Sequence, residues 1–132
     1  MIVDSSAILA VLFNEPDAAR YAKALAQADS VQMSAATWLE TAIRIDHGGN
    51  AIASSAFDDL VREANIAISP VTSEQVSIAR QAYRAYGKGT GHPAQLNFGD
   101  SFSYALAKST GEALLFKGED FRQTDLPPAL QD

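Results

Sequence analysis

Short apolar runs that alternate with longer helical segments are the feature that most constrains how this chain can fold. Four runs have the length and apolar character of short buried strands. They are Met1–Asp4, Val31–Met33, Ile66–Ile68 and Ala113–Phe116. Strands that alternate with helices are typical of parallel sheets covered by helices on both faces. The pattern therefore predicts a three-layer α/β/α domain with a mostly parallel central sheet, and it leaves the strand order open.

Six helices are predicted from the spacing of apolar residues and from capping signals. Their ranges are Ala7–Phe13, Asp17–Ala28, Ala35–Asp46, Ala51–Ala64, Ser73–Tyr86 and Gly99–Ser109. Either Ser5 or Ser6 is the predicted cap of the first helix, and Ser34 is the predicted cap of the third. The segment Lys88–Gln95 is rich in glycine and contains a proline, so we expect a loop there.

The composition of the chain excludes several kinds of protein. No cysteine is present, which excludes a disulfide scaffold, a thiol nucleophile and a zinc–thiolate site. A length of 132 residues predicts a single domain over residues 1–132. No apolar run reaches the length of a membrane span, and the N-terminus has no signal-peptide pattern. We therefore expect a cytoplasmic protein that makes no membrane contact.

Four acidic residues follow predicted strands or lie near the starts of helices. Asp4 ends the first apolar run, Glu40 lies in the third helix, Asp100 opens the last helix and Asp120 follows the last strand. In a parallel α/β fold, strand ends and helix starts meet at one edge of the sheet. Carboxylates gathered there would repel one another unless a cation held them, and hard divalent cations prefer oxygen ligands. The pattern predicts a metal site suited to phosphodiester chemistry.

Each acid also has an ordinary explanation when it is taken alone. Asp4 could cap a helix, Asp100 could interact with a helix dipole, Glu40 could be solvated and Asp120 could lie in a turn. The joint pattern favours a site, because acids close to large apolar residues are costly unless they are paired or ligating. The apolar neighbours that support this reasoning are Trp38, Leu39 and Ile43 around Glu40, and Phe98 and Phe102 around Asp100.

The expected chemistry is hydrolysis by a metal-activated water, with one or two Mg²⁺ or Mn²⁺ ions. Asp4 and Asp100 are the predicted direct ligands. Asp120 is a predicted ligand or water-mediated partner, and Glu40 either ligates the metal or positions the attacking water. Two neighbouring hydroxyl residues are predicted to orient a carboxylate or a metal-bound water, namely Ser6 and Ser101.

The charge of the chain argues against simple affinity for a polyanion. The formal net charge is −6, and the basic residues form no dense run. Cations bound among the acids would invert the local field and soften this objection. Lys88, His92, Lys117 and Arg122 are the candidate phosphate contacts. For Lys88 and His92, an ordinary role in a solvated loop is the favoured interpretation.

Three segments of the sequence resemble a known family. The start MIVDSSAILAVLFNEPDA, the stretch Ser34–Glu40 and the stretch YGKGTGHPAQLNFGDSFSYALAKSTGEALLFKGEDF are similar to PIN-domain ribonucleases. Within that family the chain resembles VapC-type toxins of bacterial toxin–antitoxin pairs. The resemblance covers nearly the whole chain, and its acids occur in the expected order.

The resemblance implies a function and a set of partners. Asp4, Glu40, Asp100 and Asp120 would take the four acidic positions of the family, although Glu119 is adjacent and could share the role of Asp120. The family implies Mg²⁺-dependent endonuclease activity on RNA, a homodimer, and a small VapB-type antitoxin that blocks the site. The helices 17–28 and 51–64 could form a groove for an antitoxin helix, or could simply pack against the sheet.

Two other classes of protein compete with the ribonuclease interpretation. A phosphoacceptor domain has similar size and strand–helix alternation, but it needs an acceptor aspartate at the end of a central strand near mid-chain. Asp58 and Asp59 instead lie in a predicted helix. The other class is a module that binds RNA or a partner without cutting it. Metal-dependent turnover distinguishes this class from a nuclease.

Overall fold

A computed structural model describes residues 1–131 and contains a four-stranded parallel sheet. The strands are β1 (Ile2–Val3), β2 (Val31–Ser34), β3 (Ile66–Ser69) and β4 (Leu114–Leu115). Their order across the sheet is β3-β2-β1-β4, so the first strand of the chain lies between the second and the last. The predicted parallel sheet is confirmed, and every strand pair runs parallel.

Six α-helices connect or follow the strands, as predicted. They are α1 (Ser5–Leu12), α2 (Ala18–Gln27), α3 (Ala35–His47), α4 (Ala51–Glu63), α5 (Ser73–Tyr86) and α6 (Phe98–Thr110), and a short 3₁₀ turn follows at Phe121–Gln123. The loop predicted over residues 88–95 is confirmed, since it contains neither a helix nor a named strand.

The two faces of the sheet bury two separate apolar clusters. Successive side chains of a strand point to opposite faces. Accordingly, Val3 and Leu115 belong to the cluster with α1 to α4, whereas Ile2 and Leu114 belong to the cluster with α5, α6 and the C-terminal segment. All four side chains are inaccessible to solvent. This division confirms the predicted three-layer arrangement.

The ends of several elements differ from the sequence-based predictions. Helix α1 begins at Ser5 and is capped by Asp4, whose carboxylate accepts a hydrogen bond from the Ser6 amide, so neither serine is the cap. Ser34 occupies the N-cap position of α3, but its buried hydroxyl makes no capping hydrogen bond. Strand β4 is shorter than predicted, because regular pairing with β1 covers only Leu114 and Leu115.

The described part of the chain bears on two further predictions. Within residues 1–131, the helices are all too short or too polar to cross a bilayer. The predicted end of the domain, at residue 132, lies outside the described residues.

Candidate active site

The four predicted acids line one cavity at the carboxyl edge of the sheet. Its volume is about 330 Å³. Asp4 follows β1 directly, Glu40 lies in α3 after β2, Asp100 lies in the first turn of α6, and Asp120 follows β4. The other polar residues that line the cavity are Ser5, Ser6, Arg44, Asn97 and Lys117. The topology therefore brings together side chains that are up to 116 positions apart in sequence.

Asp4 is the most constrained of the four acids. Its side chain is buried, with 3% of the residue exposed. Oδ2 accepts hydrogen bonds from the backbone amide and the hydroxyl of Ser6, at 3.0 and 2.7 Å. The backbone amide of Lys117 in turn donates to the Ser6 hydroxyl at 3.0 Å. The chain that follows β4 thus helps to hold Ser6, as well as Asp4, in place.

A second hydroxyl that holds Asp4 was missed by the sequence analysis. The Ser103 hydroxyl donates to Asp4 Oδ1 at 2.6 Å, and the Thr37 hydroxyl lies 3.2 Å from that of Ser103. Both residues are fully or almost fully buried. The only available sequence signal was that Ser103 lies three residues after Asp100, which places both residues on one helical face.

Ser101, which is predicted to orient a carboxylate or a metal-bound water, makes its side-chain hydrogen bond to the backbone. Its hydroxyl donates to the carbonyl oxygen of Phe98 at 2.6 Å, within its own helix. A serine one helical turn into α6 can satisfy its hydroxyl on the preceding turn, and Ser101 does so. The serine of this helix whose hydroxyl contacts one of the acids is Ser103, which donates to Asp4.

Asp100 combines a structural role with a position in the cavity. Its carboxylate accepts from the Asn97 amide at 3.0 Å, and its own amide donates to the Asn97 side chain at 2.8 Å, which completes a capping box. Burial, together with the charges of Asp4, Asp120 and Glu40, raises the pKa of Asp100 to about 6, against the lowering effect of the Asn97 amide. Asp100 is thus both a capping residue of α6 and part of the lining of the cavity.

Glu40 is placed differently from what its apolar neighbours suggested. Leu39 and Ile43 are 52% and 58% exposed, so Glu40 is not embedded among buried residues. Its carboxylate lies against the backbone of Gly99, where an added Cβ atom would collide with it. Burial raises the pKa of Glu40, as does the charge of Asp4, while Arg44 lowers it.

Asp120 and its neighbour Glu119 have different positions. Both are exposed, but Asp120 lines the cavity and its charge raises the pKa of Asp100. Glu119 accepts a hydrogen bond from the Arg122 amide through its backbone carbonyl. These contacts favour Asp120 over Glu119 as the fourth acidic position.

The basic candidates fall into two groups. Lys117 lines the cavity, and its ammonium group contacts Glu15 at 3.2 Å and Asp17 at 3.0 Å. The guanidinium of Arg122 lies 5.4 Å from the centre of the Phe116 ring. Both groups therefore contact neighbouring side chains, and Arg122 is not among the residues that line the cavity.

Lys88 and His92 do not belong to the lining of the acidic cavity. Lys88 is exposed, and its backbone carbonyl accepts a hydrogen bond from the Tyr83 hydroxyl. His92 Nδ1 accepts from the Ala94 amide at 3.1 Å, and its ring packs edge-on against Tyr86. The ordinary loop role favoured for these two residues agrees with these contacts.

Comparison with known proteins identifies the family. The PIN domain family model matches residues 1–126. The chain is 52% identical over 130 residues to ribonuclease VapC28 of Mycobacterium tuberculosis, with 98% of each chain covered. The chain belongs to the PIN-domain VapC ribonuclease family. Another VapC ribonuclease, from Mycolicibacterium smegmatis, is 47% identical over 126 residues and covers 96% of this chain and 97% of its own.

Two solved structures share the fold. Mycobacterium tuberculosis VapC20, a sarcin-ricin loop cleaving toxin, superimposes with a TM-score of 0.72 at 17% identity, covering 95% of each chain. The FitAcB structure from Neisseria gonorrhoeae gives a TM-score of 0.71 at 20% identity, covering 96% of this chain and 94% of that one. At these identities the likeness establishes the fold of this VapC-family chain.

The donor chemistry of this VapC-family cavity fits a hard divalent cation. Its candidate ligands are carboxylate oxygens, which such ions prefer. In the part of the chain that the structure describes, no group of three or more acidic or histidine side chains is already arranged to hold an ion. Binding therefore requires bridging waters or changes of rotamer in some of the four acids, and Mg²⁺ usually keeps several waters. The pKa values of Asp100 and Glu40 are raised partly by carboxylate charges that a cation would neutralise.

Proposed function

We propose that this protein is the endoribonuclease toxin of a toxin–antitoxin pair and that it hydrolyses RNA at the acidic cavity with a bound Mg²⁺ ion. The observation that carries the proposal is the convergence of four carboxylates from four parts of the chain on one cavity of about 330 Å³. Like charges gathered in this way are unfavourable unless a cation compensates them. Membership of a ribonuclease family gives the reaction class.

The four acids would have different roles. Asp4 and Asp100 would ligate the ion, because Asp4 is buried at the base of the cavity and the charge of Asp4 acts on Asp100. Asp120 would ligate it directly or through a water. A bound Mg²⁺ would supply Lewis-acid stabilisation of the phosphate charge and would make a water more acidic, and Mn²⁺ could replace it.

Glu40 would orient the attacking water or complete the ligand set. Burial and the charge of Asp4 raise the pKa of Glu40, so its carboxylate accepts a proton more readily than an ordinary glutamate does. Its carboxylate lies beside Gly99 in the first turn of α6 and lines the cavity, where it could contact a water.

The proposed partners are RNA, an antitoxin and a second copy of the chain. Leu39, Ile43 and Phe98 are 52%, 58% and 75% exposed, and they lie beside the acidic cavity along α3 and the start of α6. Exposed apolar side chains grouped in this way are typical of protein contacts. We propose that a second copy covers this face in a homodimer, that a VapB-type antitoxin blocks the cavity, and that the protein acts in the cytoplasm.

Cleavage of a mixed RNA pool tests the ribonuclease proposal. Metal-stripped protein should be inactive, Mg²⁺ or Mn²⁺ should restore cleavage, and Asp4→Asn should reduce the rate by at least about 100-fold, since one ligand of the ion is weakened. Asp58→Asn is the matched control, because Asp58 is exposed on α4. Cleavage by Asp4→Asn at the parent's rate would place the active site elsewhere. Metal-dependent RNA binding without cleavage would favour a binding module.

A further inference from the structure

Three buried polar side chains form a continuous chain from α3 through α6 to the end of β1. The Thr37 hydroxyl lies 3.2 Å from the Ser103 hydroxyl, which donates to Asp4 Oδ1 at 2.6 Å. Thr37, Ser103 and Asp4 are 1%, 0% and 3% exposed. Bulk water therefore cannot easily replace any of these hydrogen bonds, and the loss of one would leave a buried group unsatisfied.

The direction of the hydrogen bonds follows from the chemistry of the Asp4 carboxylate, at which the chain of hydrogen bonds ends. An ionised carboxylate only accepts, so Ser103 must use its single hydroxyl proton for Asp4. The hydrogen bond between Thr37 and Ser103 must then be donated by Thr37. The chain runs in one direction, from Thr37 to Ser103 to Asp4, and each donor strengthens the next.

The two hydroxyl residues share helical faces with two of the acids. Thr37 precedes Glu40 by three residues on α3, and Ser103 follows Asp100 by three residues on α6. Residues three apart lie on the same side of a helix. A hydroxyl chain that ties α3, α6 and β1 together therefore also sets the separation of Glu40, Asp100 and Asp4.

We propose that Thr37 and Ser103 are positioning residues that hold Asp4 in its ligating rotamer and fix the spacing of the three acids. This inference rests on the proposed function, because it concerns the same metal site. Ser6 fixes Oδ2 of Asp4, and the Thr37–Ser103 pair fixes Oδ1. Both oxygens are held before the ion binds, so binding does not require ordering of this ligand.

Calorimetric titration of the metal-free protein with Mn²⁺ measures the affinity of the site and tests the inference without any assay of RNA cleavage. Ser103→Ala should weaken Mn²⁺ binding about 10- to 100-fold, the usual effect of removing a group that orients a ligand. Thr37→Val should cause a smaller loss, and Thr37→Ser should restore the parent's affinity because it keeps the donor. Thr37→Val should have no further effect when it is combined with Ser103→Ala, since Thr37 acts only through Ser103.

Thr41→Val is the matched control on α3. Thr41 is also fully buried, but its hydroxyl donates to the Thr37 backbone carbonyl at 2.7 Å. This variant should bind Mn²⁺ like the parent, even if its unfolding temperature falls. Thermal unfolding in the presence of chelator identifies variants that are not folded. If Ser103→Ala does not fold, the comparison of Thr37→Val with Thr37→Ser tests the inference.

The possible failures are distinguishable. If the parent binds Mn²⁺ and the Ser103 and Thr37 variants bind it equally well, the positioning role is refuted and the proposed metal site stands. If Thr37→Val weakens binding equally with and without Ser103, Thr37 does not act through Ser103. If the folded parent takes up no Mn²⁺ at all, the proposed metal site fails, and the positioning role fails with it.

Discussion

Replacement of Asp100 by asparagine should stabilise the metal-free protein while it removes activity. The carboxylate of Asp100 is partly buried beside three other acids, and burial together with their charges raises its pKa from 3.8 to about 6. Ionisation of this group at neutral pH therefore opposes folding. Asparagine keeps an oxygen that can accept from the Asn97 amide, so the capping interaction is retained while the charge is lost.

The expected gain in stability follows from the pKa. A rise from 3.8 to about 6 sets an upper bound of about 3 kcal/mol, because a tenfold change in proton affinity is worth about 1.4 kcal/mol. Asp100 is partly exposed, and solvent screening reduces this bound to about 1 kcal/mol. For a chain of this length, that gain corresponds to an increase of about 4 °C in the unfolding temperature.

The pH dependence has a definite sign. The folded protein binds the proton of Asp100 more tightly than the unfolded chain does, so the parent's stability falls as pH rises from about 4 through about 6. The advantage of Asp100→Asn should therefore be large at pH 7.5 and small at pH 4.5. Added Mn²⁺ should reverse the order, because it binds and stabilises the folded parent more than the variant.

Thermal unfolding in chelator at the two pH values, at constant ionic strength, measures these effects. Asp58→Asn is the control for loss of an exposed carboxylate and should show no comparable gain. Two results would refute the reasoning that repulsion and burial destabilise this site. One is an Asp100→Asn variant that is less stable than the parent at pH 7.5, and the other is a gain in stability that does not depend on pH.

Two further predictions concern the face formed by α3 and the start of α6. Gly99→Ala should reduce RNA cleavage about as much as Glu40→Gln does, because its Cβ would displace the Glu40 carboxylate. Gly48→Ala is the control, because Gly48 lies at the end of α3 and outside the lining of the cavity. It should cleave like the parent, and equal rates for both alanine variants would contradict the prediction. Ile43→Lys should convert the proposed dimer to a monomer in sedimentation analysis, because Ile43 is 58% exposed on the apolar face, and an unchanged mass would place the dimer contact elsewhere.

The parts of the fold that depend on local pattern were predictable from the sequence. Alternation of apolar runs with amphipathic segments predicted the parallel sheet and all six helices, because each element carries its own periodicity. The gathering of the four acids was also predictable, since strand ends and helix starts of such folds meet at one edge. Strand β4 was predicted too long, because Ala113 and Phe116 are apolar but lie outside the regular strand pairing; Ala113 is partly buried and Phe116 is buried.

The finer structure of the site depends on contacts between distant segments. Ser103 is one of several hydroxyl residues in α6, and only the packing of α6 on β1 brings it to Asp4, 99 positions earlier. Ser101 is adjacent to Asp100 in sequence but points its hydrogen bond into its own helix. Glu40 was expected among buried residues because large apolar side chains flank it, yet Leu39 and Ile43 are exposed. Apolar character does not separate a core from a contact surface.

The position of β1 has a consequence for the time at which the protein becomes active. This strand is made first, but one of its two neighbours is β4, more than 100 residues later, and the Asp4 amide donates to Leu115 at 2.9 Å. Contacts between such distant segments form late, because a long loop must be closed first. A growing chain that has not yet supplied β4 and Asp120 cannot complete the cavity. The order of synthesis therefore delays nuclease activity until β4 and Asp120 have been made.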